Sequence, residues 1–119
     1  MATASRTIEH PAIEDVTLES VLHALSDPVR LQVVTTLADN STAMACSAIP
    51  LTVSKSTSTH HFKVLREAGI VRQTYVGTAR MSELRRADLA RRFPGLLDTV
   101  LALADETSQD AGVPAPTAR

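Results

Sequence analysis

The chain has 119 residues, of which 44% are hydrophobic, with 12 basic and 13 acidic side chains and a formal charge of −1. That is the length of one domain, with a core modest enough that pairing with a second copy would help bury apolar surface. With two Phe, one Tyr and no Trp the core must be aliphatic, which favours helices and argues against sugar-binding or base-stacking surfaces.

No apolar run is long enough to span a membrane, and "MATASRTIEHPAIED" lacks the apolar segment of a secretory signal. Cys46 is the one cysteine, so no internal disulfide forms and the chain reads as cytoplasmic.

Residues 1–13 contain Pro11 and little periodicity, and are expected to form a flexible arm. "VTLESVLHALS" predicts a helix with Leu18, Val21, Leu22 and Leu25 apolar. In "SDPVRLQVVTTLAD" Ser26 or Asp27 caps a second helix, and Pro28 occupies its first position, where a missing N–H costs nothing. Val29, Val33, Val34 and Leu37 form its apolar stripe. "NSTAMACSAIP" predicts a short third helix with Met44, Ala45, Ala48 and Ile49 inward, ended by Pro50. After the turn "LTV", Ser54 caps a fourth helix that runs to about Ala68, with Gly69 in the left-handed position beyond it.

"IVRQTYVGTARMSEL" predicts a β-hairpin. Val71, Gln73 and Tyr75 alternate on one arm and Thr78, Arg80 and Ser82 on the other, with Val76-Gly77-Thr78 at the reversal. "RADLARRF" is a short helix, and "FPGLLDTVLALADE" begins a last one. The tail 107–119, rich in Pro, Ala, Gly and polar residues, is expected to be disordered. The fold class is therefore mostly α with a small β-hairpin (α+β): one winged helix-turn-helix unit over residues 14–106.

Charge is unevenly spread. Residues 54–92 hold nine Lys/Arg against three acids, a balance of +6, while the flanking segments are acidic. Clustered charge of this kind is the footprint of a nucleic-acid partner, whatever the net charge. Arg85, Arg86, Arg91 and Arg92 also read as a solvated helix face.

The fourth helix opens with "SKSTSTHH", residues of little use in packing. In a helix-turn-helix the second helix enters the DNA major groove, about 12 Å wide, with its N-terminal residues against base edges. Small hydroxyls and a few long donors suit that place. Ser54, Lys55, Ser56, Thr57, Thr59 and His60 form the candidate reading set, with Lys63 placed for phosphate. The hairpin adds Arg72, Gln73, Tyr75, Thr78 and Arg80 as a candidate wing on the backbone or minor groove. The competing readings are cap-forming hydroxyls and edge-protecting charges.

"HALSDPVRLQVVTTLAD", "SKSTSTHHFKVLREAGIV" and "RQTYVGTARMSELR" together resemble the ArsR/SmtB-type winged-helix repressors, over roughly Leu18 to Leu103. The resemblance implies a homodimer through the first and last helices, with Leu18, Val21, Leu22, Leu97, Val100 and Leu101 at the interface. It further implies a transcriptional repressor on an inverted-repeat operator in double-stranded DNA, released by a chemical signal. Departures from the family pattern are specific. Ser58 stands at a usual aliphatic position, and Ala43 and Ala45 fall where metal sensors carry paired thiolates. No histidine follows Asp98, as an interface zinc pattern would need. No metal site and no cofactor are therefore expected; His10 with His23, and Cys46 as a redox centre, are the residual sensing candidates.

Two other classes compete with this one. An enzyme built on "STSTHH" lacks a nearby acid to orient a histidine and a glycine-rich phosphate loop, so no catalytic residues are expected. A co-regulator acting with an unknown protein partner is the alternative to autonomous DNA binding.

Overall fold

The computed structural model describes residues 8–40 and 42–112, with side chains up to residue 105. A 3-10 turn at Ile13–Asp15 leads into helix α1 (Leu18–Leu25) and helix α2 (Pro28–Ala38). Strand β1 (Met44–Ala45) and a 3-10 turn (Cys46–Ala48) follow, then helix α3 (Lys55–Glu67). The hairpin is β2 (Val71–Val76) and β3 (Ala79–Leu84). Helices α4 (Arg86–Arg92) and α5 (Leu96–Gly112) complete the chain. Among the described residues no helix is long and apolar enough to cross a membrane.

The starts of α1, α2 and α3 have local causes. The Thr17 hydroxyl accepts from Ser20 N at 3.1 Å at the head of α1. The Asp27 carboxylate accepts from Val29 N at 2.8 Å and Arg30 N at 3.1 Å, with Pro28 beside it. Burial opposes ionisation of the Asp27 carboxyl, but those two amide bonds, helped by the Arg30 guanidinium, outweigh it and hold the carboxyl below its usual range. Ser54 caps α3, accepting from Thr57 N at 3.2 Å.

The end of α3 is a two-bond stop. Ile70 N donates to Leu65 O at 3.1 Å and Gly69 N to Arg66 O at 3.1 Å, with Gly69 at φ +84°. This is the Schellman arrangement, and its usual apolar contact joins Ile70 to Leu65, both fully buried. The chain is thereby aimed from α3 straight into β2.

Val33, Val34 and Leu37 of α2, Phe62 and Leu65 of α3, Val71 of β2 and Leu89 of α4 form one core with Val21, Ala24 and Leu25 of α1. The sheet is antiparallel in the order β1-β3-β2. Gln73 faces Ser82 and Tyr75 faces Arg80 across the hairpin, whose two-residue tip is Gly77–Thr78.

Three expectations change. The short helix over "NSTAMACSAIP" is instead a strand and a single 3-10 turn: Met44 pairs with Ser82 and Ala45 with Met81. The open edge of β3 offers these backbone groups partners that a helix too short to nucleate well cannot match. Ile49 is buried as expected, but Ala48 is exposed. Next, the expected arm over 1–13 divides. Residues 1–7 lie outside the described residues, while His10 and Pro11 are fastened to the body: Gln73 N donates to His10 Nε2 at 2.9 Å and Arg85 donates to Pro11 O at 2.9 Å. Finally, α5 continues through Gly112, beyond the boundary expected at 106; residues 113–119 lie outside the described residues.

Candidate nucleic-acid interface

Helix α3 is two-sided. His61, Phe62 and Leu65 are buried, and Lys55, Ser56, Thr57, Thr59, His60 and Lys63 are exposed. Lys55, Thr59 and Lys63 recur at four-residue spacing, one above another on the outer face. The first turn is internally tied: the Ser54 hydroxyl donates to Thr57 Oγ1 at 2.9 Å. Thr59 Oγ1 donates back to Lys55 O at 2.9 Å. Ser58 is half-buried beside the wing.

Between α3 and the hairpin lies a groove of about 530 Å³, with Lys55, Thr59, Thr78 and Arg80 on its rim and Phe62 among its walls. Arg80 is pre-positioned there. It donates to the Tyr75 hydroxyl at 2.5 Å, and its guanidinium carbon lies 5.2 Å from the Tyr75 ring centre. Thr78 is exposed at the tip.

One wing assignment needs revision. Gln73 is 1% exposed and faces inward. Its Nε2 donates to Ser82 Oγ at 3.2 Å and to Cys46 Sγ at 3.4 Å, and its Oε1 accepts from Arg66 at 2.7 Å. It therefore joins α3 to the sheet and is not free for DNA. The period-two pattern carried that signal, since Gln73 shares a face with buried Val71. The exposed residue beside it is Thr74, which the candidate set omitted. Arg72 is exposed but leans towards Asp88, 3.5 Å away.

The arginine cluster around α4 is likewise structural. Arg85, 6% exposed, and Arg91 converge on Asp88 at 3.0 and 2.9 Å. Arg86 donates to Ala38 O, and Arg92 donates to Val16 O at 3.0 Å. Arg86, Arg91 and Arg92 stay exposed while making these bonds, and on α3 the exposed basic side chains are Lys55 and Lys63.

Of the predicted interface residues, Val21 and Leu97 are 2% and 9% exposed and belong to the protomer's own core, a correction to their interface assignment. Val100 and Leu101 are half-buried. Leu18 and Leu22 on α1 are 44% and 48% exposed, and Leu103 on α5, absent from the predicted set, is 56% exposed.

The sensing candidates are placed as follows. Cys46 is half-buried with Sγ 3.1 Å from Ser82 Oγ. Among the described residues no group of three His, Cys, Asp or Glu side chains is arranged to hold a metal ion. His10 is occupied as an acceptor on β2. Burial holds its pKa below the ordinary 6.5, helped by Arg66, Arg72 and Arg85 and opposed by a hydrogen bond to the Ile8 backbone. The docked arm thus favours neutral His10, and docking is strongest above pH 6.5. It weakens as pH falls from there through the lowered pKa. Hydrogen exchange should therefore show the protection factor of the Gln73 amide falling on acidification in the native chain. His10→Ala should show low protection throughout; a flat native profile would refute the latch.

A capped helix with an exposed polar front, a preceding short turn and a following hairpin define a winged helix-turn-helix fold. A helix-turn-helix domain profile matches residues 25–74. The uncharacterised helix-turn-helix-type transcriptional regulator YceK of Bacillus subtilis is 30% identical over 82 residues, covering 67% of this chain and 82% of that one. An ArsR-like transcriptional regulator from Rhodococcus superposes with a TM-score of 0.54 at 26% identity, over 80% of this chain and 86% of that one. A homodimeric winged helix-turn-helix DNA-binding domain from Mycobacterium bovis, a possible ArsR-family regulator, gives 0.60 at 24% identity, over 84% and 87%. The chain belongs to the helix-turn-helix-type transcriptional regulators, and its winged fold is that of ArsR-family regulators; family and fold are those of DNA-binding proteins and not of enzymes.

Proposed function

We propose that this chain is a cytoplasmic repressor that binds an inverted-repeat operator as a homodimer, each protomer laying the front of α3 in a major groove. The observation that carries the reading is the outward row Lys55, Thr59 and Lys63, with His60 beside it, on a helix whose other face is locked into the core. Arg80, held by Tyr75 across the groove, supports a wing contact to the phosphate strand. The exposed Leu18, Leu22 and Leu103 support pairing through α1 and α5, as does the homodimeric M. bovis domain. Half-sites lie about one helical turn, ~34 Å, apart. Repression follows from occupancy of DNA that the transcription machinery needs.

The test is fluorescence anisotropy on DNA from the intergenic region upstream of the chain's own gene, against scrambled DNA at the same salt. Tight, selective binding is expected, steeply weakened by salt. Equal binding to both duplexes would sink the reading.

Two kinds of variant separate the roles. Lys63→Ala should weaken binding to both duplexes alike and lower the salt slope by about one. Thr57→Ala or His60→Ala should cost about 1 kcal/mol on the operator and relax preference at particular base pairs. Both kinds of variant losing operator and scrambled binding in equal measure would show that this division of labour is wrong.

A further inference from the structure

Arg30, within "SDPVRL", has no part in the interface described above. It is 7% exposed, and among the described residues no carboxylate lies within ion-pair distance of it. Instead its guanidinium spans three helices. Nε donates to Ala24 O at 2.7 Å and one terminal nitrogen to His23 O at 3.2 Å. These are carbonyls of the last turn of α1, where the helix end carries partial negative charge; His23 O also accepts from Ser26 N at 3.1 Å and Ser26 Oγ at 2.6 Å. The other terminal nitrogen lies 3.3 Å from Nδ1 of His61, on the buried face of α3. Guanidinium nitrogens only donate, so Nδ1 accepts and the ring proton sits on Nε2.

The rigid planar fork fixes directions as well as distances. His60 and His61 are adjacent in α3, about 100° apart around its axis. Whatever sets the azimuth of His61 therefore sets that of His60, and with it the outer row from Lys55 to Lys63. The far end of the fork grips α1, whose exposed Leu18 and Leu22 lie on the proposed dimer face.

We propose that Arg30 and His61 are positioning residues for sequence-selective DNA binding: the fork fixes the rotation of α3 relative to α1, and so the register between the two reading helices of a dimer. This rests on the reading of α3 as the major-groove helix and of α1 as part of the dimer face.

The test compares native chain, Arg30→Lys, His61→Leu and His61→Asn by anisotropy. The probes are the upstream intergenic duplex, a scrambled duplex, and the intergenic duplex with one base pair inserted or removed between half-sites. Arg30→Lys keeps the charge but loses the fork, and His61→Leu removes the acceptor. Each should lose about tenfold on the native duplex while binding scrambled DNA as before. Each should also discriminate less against the altered spacings. His61→Asn, whose side-chain oxygen can replace Nδ1 as acceptor, should restore selectivity and spacing preference. A proportional loss on all duplexes, tracking a lowered melting temperature and not rescued by His61→Asn, would reduce the pair to a folding role and overturn the proposal. Unchanged selectivity in both disrupted variants would also overturn it. If the native chain itself fails to discriminate, the DNA-reading assignment falls first and takes this inference with it.

Discussion

Gly69→Ala should destabilise the protein by roughly 3 kcal/mol, a large share of the 5–15 kcal/mol that holds a domain of this size together. Two effects add. Gly69 sits at φ +84°, where a side chain costs about 1–2 kcal/mol. A Cβ there would also lie 2.3 Å from Cγ2 and 3.1 Å from Cγ1 of Val16. Val16 is 3% exposed and cannot swing into solvent without opening the core. Relieving such a clash costs about 1–3 kcal/mol. The backbone of Val16 also accepts from Arg92, so its displacement would be felt in α4. Urea unfolding measures the total, and a double-mutant cycle with Val16→Ala divides it. The cycle should recover the steric part and leave the conformational part. A loss below about 1 kcal/mol in Gly69→Ala would mean that the close approach to Val16 is absent in solution.

The second large effect is expected at Asp88→Asn, at about 2 kcal/mol. Arg85 is 6% exposed and has its counter-ion in Asp88, which also meets Arg91 and Arg72. Removing one partner of a buried pair costs about 3–5 kcal/mol, and the 20% exposure of the Asp88 side chain argues for less. The hydrogen bond from Arg85 is the main cause that holds the Asp88 carboxyl below its ordinary 3.8; the charges of Arg85, Arg91 and Arg72 add to it, against burial. The native chain therefore keeps this stabilisation above pH 3.8 and loses it as pH falls through the depressed folded value. The stability gap between native and Asp88→Asn should be widest near neutral pH and close in acid. A gap independent of pH would mean that the carboxylate charge is not what stabilises Arg85.

Most of the framework was legible because its causes are local. Asp27-Pro28, Ser54 and Gly69 mark helix ends through bonds to residues two to five positions away. The outward row of α3 follows from helical spacing alone. What was not legible depends on partners far along the chain. Met44 and Ala45 become a strand because of Ser82 and Met81, and two residues show no periodicity of their own. The arginines of α4 look like a phosphate-binding patch until Asp88 and the carbonyls of Ala38 and Val16 are found beside them. Gln73 is a different kind of miss. Its polarity suggested a surface role, while its place in the alternation pointed inward.

The pairing of β1 with β3 bears on how such a protein can be re-engineered. Through Met44 and Ala45 the lead-in to the turn is woven into the wing, and through Gln73 the wing is bonded to Arg66 of α3. Transplanting the hairpin alone into a related scaffold would cut both seams. The exchangeable cassette is the continuous stretch from Met44 to Leu84, and chimaeras joined outside those limits should carry their operator preference with them.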